Sequence, residues 1–118
     1  MRVDGDTVRD YCASRKGAAA EYPFGPGARV YKVLGKMFAL VSDDEPRLSL
    51  KCDPVLAEVL RETYPAVRPG YHMNKRHWNT VDLDGDVPDA ELVGMIDHSY
   101  ELVVKGLSKV ARERLAAM

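Results

Sequence analysis

Cysteine is scarce. Cys12 and Cys52 lie far apart in sequence, in apolar-periodic surroundings, and no Cys-x-x-Cys pair exists. Both are read as reduced, buried thiols without a disulfide, and neither context lowers a thiol pKa toward a nucleophile. No apolar run approaches the roughly 20 residues that span a bilayer. The start, Met-Arg-Val-Asp-Gly-Asp, lacks the apolar core of a secretion signal, so a cytoplasmic location is expected. Charge of one sign is also missing: 17 Lys and Arg face 18 Asp and Glu, for a net charge of -1. Duplex-binding proteins usually carry a clear positive excess, so a nucleic-acid role here requires a local basic patch. Gly25-Pro26-Gly27 is broken by proline and leads into no helix, so it is not a phosphate-cradling loop. His72, His77 and His98 show no i, i+4 or i, i+2 spacing that would put two on one face, although His72 and His77 can converge through a loop. No metal and no cofactor is expected. Repeats, low-complexity stretches and linkers are absent.

What is present is one domain over residues 1–118, with 46% apolar and 30% charged residues. A helix is expected from Asp6 to about Arg15, capped by Asp4 or Asp6, with Val8, Tyr11 and Cys12 on one face. Gly17 is a natural stop, yet Ala18, Ala19 and Ala20 also allow the helix to run on. Arg29–Val33 and Lys36–Val41 flank Leu34-Gly35 as a tight hairpin, and Arg47–Cys52 alternates as a half-exposed strand. Asp53-Pro54 opens a helix with an inward stripe of Leu56, Val59, Leu60 and Thr63, ended by Tyr64-Pro65. Val67 to Asn74 is irregular or extended, and Trp78–Leu83 is a strand. A last long helix begins near Pro88, with Leu92, Ile96, Ser99, Val103 and Leu107 at helical spacing. Lys105, Lys109, Arg112 and Arg114 load its distal end, and residues 108–118 are read as a helical tail. Antiparallel hairpins with helices on one face give the α+β class.

Five runs carry a resemblance: Tyr22-Pro23-Phe24-Gly25, Gly35 to Leu40, Leu50 to Pro54, Pro69 to Val81, and Asp97 to Val103. In this order, over about residues 6 to 106, they resemble the MmcQ/YjbR family. Arg15-Lys16-Gly17-Ala18 departs from that family's Leu-Pro-Gly type of helix stop. The resemblance implies a CyaY-like α+β fold, an antiparallel sheet packed against helices. It also implies a double-winged DNA-binding look, and no enzyme chemistry that transfers residue by residue.

Residues 64 to 81 contain no Asp or Glu. Arg68, His72, Asn74, Lys75, Arg76, His77 and Asn79 form the candidate nucleic-acid set: cations neutralise phosphates and Asn pairs base edges. The acidic run Asp82, Asp84, Asp86, Asp89, Glu91 cancels that attraction if it lies beside the loop. The alternative is a protein- or small-ligand-binding adaptor with an aromatic and polar groove near Tyr22, Phe24, Tyr71, His72 and Trp78. The plain structural reading of the same residues has the aromatics in the core and Asn74 and Asn79 bonding their own turns. Double-stranded DNA is the first expected partner, then a protein or small molecule. A monomer is expected, and an enzyme ranks last, with no catalytic residue named.

Overall fold

The computed structural model describes residues 4–43, 46–70 and 73–118. Helix α1, Gly5–Ala13, starts where the Asp4 carboxylate accepts from the Thr7 backbone N–H. It ends at Ser14, and Gly17 then turns the chain with φ +73°. Ala18–Glu21 is not more helix but a strand, β1, at the sheet edge. The left-handed turn at Gly17 and pairing with the next strand outweigh alanine's helix preference.

Strands β2, Ala28–Val33, and β3, Lys36–Ser42, meet at Leu34-Gly35, where φ is 45° and 84°. Two consecutive positive φ values give the turn twist that suits a two-residue hairpin. The register shifts between Tyr31 and Lys32, which pair with Ala39 and Met37, so Phe38 is the extra, bulged residue of β3. Strand β4, Arg47–Lys51, leads into α2, Pro54–Thr63, whose first turn donates to the Asp53 carboxylate. Strands β5, Val67–Pro69, and β6, Trp78–Asp82, complete a six-stranded antiparallel sheet of order β1-β2-β3-β4-β6-β5.

The long last helix of the sequence reading is two helices. α3 spans Asp89–Lys105 and α4 spans Lys109–Ala116. Between them Leu107 dives into the core, and Ser108 caps α4 by accepting from the Ala111 N–H. α3 crosses β2, β3 and β4, while α1 packs on β1 and β3 and α2 on β5.

All four helices therefore lie over one face, and a single apolar cluster fills the layer between. Leu92, Ile96, Ser99, Val103 and Leu107 are all buried there. The α2 stripe differs from expectation. Only Ala57 is fully buried, while Leu56 is 38% and Val59 50% exposed, because α2 packs chiefly on the edge strand β5. Among the described residues no helix is long and apolar enough to cross a membrane.

Candidate functional site

The connection from β5 to β6 is tied down from within. The Gly70 N–H donates to the Trp78 carbonyl at 2.8 Å, and a Cβ on Gly70 would stand 2.7 Å from the Trp78 Cβ. Glycine is needed there for close backbone approach. The Asn74 carboxamide oxygen accepts from the Arg76 N–H at 3.0 Å, an Asx-type turn. Arg61 of α2, which the sequence reading did not single out, is the organiser. Its guanidinium donates to the Asn79 Oδ1 at 2.6 Å, to the Trp78 carbonyl at 3.2 Å and to the Lys75 carbonyl.

These bonds redistribute the proposed nucleic-acid set. Asn79 is buried with its amide spent on Arg61 and the Ala57 carbonyl, so it offers no edge to a base. Arg68 is ion-paired with Asp82 at 2.7 Å, the cancellation that the acidic run threatened. Tyr71 and His72 lie outside the described residues. His77 is half-buried, and Asn74, Lys75 and Arg76 are exposed. Lys75 also donates to the Gly70 carbonyl at 3.1 Å. The cationic C-terminal residues do not extend this patch: α4 sits by β1, with Lys16 donating to the Ala116 carbonyl, at the opposite edge of the sheet from β5.

The helix-free face of the sheet carries the second candidate. Alternation along β3, β4 and β6 turns Leu40, Ser42, Arg47, Ser49 and Thr80 away from the helices. They floor a cleft of about 460 Å³, walled by Phe24 from the β1–β2 connection and Met73 from the β5–β6 connection. The Ser49 and Thr80 hydroxyls bond each other at 3.0 Å and are buried, although no helix covers them. Phe24 is 69% exposed. Of the aromatic groove predicted from sequence, Phe24 lines this cleft. Trp78 lies on the same face by alternation but is half-buried beside Gly70. Tyr22 turns elsewhere: its hydroxyl accepts from Arg29 Nε at 2.7 Å. Leu40, Met73, Ser49 and Thr80 escaped the sequence reading, although the period-2 pattern of Arg47-Leu48-Ser49-Leu50-Lys51 marks its polar face plainly.

Other chemistry is confined. Burial pushes the Cys12 thiol up to about 12 and the Cys52 thiol up to about 11, away from thiolate reactivity. His98 Nε2 accepts from the Asp53 N–H at 3.3 Å. Among the described residues no group of three or more His, Cys, Asp or Glu is gathered as a metal would require.

Comparison with known proteins agrees with the fold. A family model described as YjbR matches residues 13–102. The Escherichia coli K12 protein YjbR is 39% identical over 110 residues, 92% of this chain and 93% of its own. YbdF of Escherichia coli O157:H7 is 41% identical over 96 residues, 80% of this chain and 79% of its own. A crystal structure of a Deinococcus radiodurans protein with a DUF419 domain superposes with a TM-score of 0.87 at 42% identity, covering 94% of this chain and 86% of that one. A Pseudomonas syringae protein gives 0.74 at 27% identity, over 85% and 98%.

Proposed function

The chain belongs to the YjbR family, and from that premise we propose that it is a binding module whose ligand sits on the helix-free face of the sheet. The carrying observation is Phe24, 69% exposed beside a cleft of about 460 Å³. Ligand pockets run to roughly 300–1,000 Å³ and combine apolar walls with a few placed polar groups. Here Phe24, Ala28, Leu40 and Met73 supply the apolar contact; Arg47 and the Ser49–Thr80 hydroxyl pair supply polarity. Covering the Phe24 ring contributes up to about 2 kcal/mol. A small organic molecule with an apolar body and a polar or anionic end fits this lining.

The test uses 8-anilinonaphthalene-1-sulfonate, a fluorescent aromatic anion, with the folded protein. Saturable enhancement is expected, weakened about fivefold or more by Phe24→Ala and by the cleft-filling Ala28→Phe. Dye binding that ignores both substitutions would sink the proposal.

A second reading is duplex DNA held by the exposed Lys75 and Arg76. Two phosphate contacts give a log–log salt slope of only about -1.8, far below that of proteins making six to ten contacts. Fluorescence anisotropy with labelled duplex at low and physiological salt, run beside Lys75→Ala/Arg76→Ala, decides it. Salt-sensitive binding that the double variant loses supports the basic loop, and no binding at low salt removes it.

A further inference from the structure

The connection from β1 to β2 straddles the end of the sheet. Pairing sets Arg29 opposite Val41, a core residue, and Ala28 opposite Ser42, which lines the cleft. Paired residues share a face, so Arg29 stands on the helix side and Ala28 on the cleft side. The Arg29 guanidinium stays on the helix side, where Nη1 donates at 3.4 Å to the hydroxyl of the buried Tyr31. Tyr22 reaches round to it, and its hydroxyl accepts from Arg29 Nε at 2.7 Å. Phe24, next but one in the chain, lines the cleft on the opposite face.

Phe24 is set by its backbone more than by its own packing, because its ring is 69% exposed. That backbone is a turn: the Gly25 N–H donates to the Tyr22 carbonyl at 3.2 Å, with Pro23 and Phe24 in the two central places. Proline suits the first of these. Gly25, with φ 88°, then leaves the turn. Beyond it the Gly27 carbonyl accepts from the Asp43 N–H at 2.8 Å, which ties the far end of the connection to the end of β3. The near end is tied through Tyr22. The residue whose side chain Arg29 holds is the residue whose carbonyl closes the turn, so fixing one fixes the direction of the other.

We infer that Tyr22 and Arg29 are positioning residues of the cleft: they hook the connection on the helix side and thereby hold the Phe24 ring over the ligand on the other. This rests on the cleft being the binding site. Neither residue lines the cleft, so their effect on a ligand passes through Phe24. An unhooked connection spends part of its time with Phe24 displaced, and apparent affinity falls with the fraction of chains that remain competent.

Titration with 8-anilinonaphthalene-1-sulfonate reads this. Tyr22→Phe keeps the ring and removes the acceptor; Arg29→Ala removes the donor. Each should raise the dye Kd about threefold to tenfold. The Tyr22→Phe/Arg29→Ala double variant should be no weaker than the weaker single variant, because both remove one hook. In a Phe24→Ala background both should lose their effect, to within about 1.5-fold. A general disturbance of the sheet would still weaken binding there. Tyr22→Phe, at an exposed position, stays folded even if Arg29→Ala does not. Phe24-dependent binding that Tyr22→Phe leaves unchanged would overturn this inference and spare the cleft. Losses that persist undiminished in the Phe24→Ala background would overturn it too. Dye binding indifferent to Phe24→Ala would remove the cleft reading and this inference together.

Discussion

At the scale of single residues, the same side-chain chemistry serves opposite ends according to where its backbone stands. Asn74 and Asn79 look alike in sequence, five positions apart in a basic run. Asn74 is exposed and holds its own turn through the Arg76 N–H. Asn79 faces α2 and joins Arg61 to the Ala57 carbonyl. Removing one partner of a buried polar set leaves the others unsatisfied, which costs about 1–3 kcal/mol. Asn79→Ala is therefore expected to lower unfolding free energy by about 2 kcal/mol in urea titration. Lys75→Ala/Arg76→Ala, on exposed positions, should stay within about 0.5 kcal/mol. The residue types of the basic run were visible in sequence. Which of them point inward was not, because that follows from the β6 register against β4 and from where α2 comes to rest.

At the scale of elements, turns and caps were the most legible features. Asp53 caps α2, Pro54 opens it, and Leu34-Gly35 closes its hairpin, because each depends on backbone geometry within four residues. The first strand and the break before α4 were not legible. Ala18–Glu21 has no strand-forming side chain and exists through its pairing with β2. Ser99 shows what elements do for one another. Its hydroxyl donates to the Phe38 carbonyl at 2.6 Å and accepts from the Lys51 N–H at 2.9 Å. Thus α3 satisfies backbone groups of β3 at its bulge and of β4 at its end. In sequence Ser99 reads as one more position of a helical stripe. Ser99→Ala keeps the helix yet orphans both groups, so a loss of about 2 kcal/mol is expected, against less than 0.5 kcal/mol for the exposed Ser108→Thr. Thermal or urea unfolding of the two variants measures the contrast.

At the scale of the whole molecule, one core carries two thiols that stay protonated. Cys12 and Cys52 titrate at an ordinary value of 9 when unfolded, and burial raises them to about 12 and about 11 in the fold. Between pH 9 and 11 the unfolded chain has released protons that the folded chain keeps. Stability therefore falls as pH rises through that window, by about 1.4 kcal/mol per pH unit for each thiol, and is untouched by them below it. Tyr11 is raised too, chiefly by its bond to Asp97, and Tyr31 and Tyr100 by burial, which steepens the fall above their ordinary value of 10. Urea midpoints from pH 8 to 10.5 should show the decline, and Cys12→Ala/Cys52→Ala should flatten its first part. A pH-independent midpoint up to 10.5 would contradict the burial of both thiols.

The α+β class, the hairpin, the capped second helix, the buried stripe of α3 and the family all follow from local chemistry and recurring motifs, so they could be read along the chain. The candidate sites could not. The cleft joins residue 24 to residues 40, 49, 73 and 80, and the space between α2 and α3 is lined by residues as far apart as 59 and 94. Only the packed sheet brings such distant positions together. Pairing decides register, register decides which side chain faces which layer, and the docking of α2 at one edge decides which apolar surface is left open.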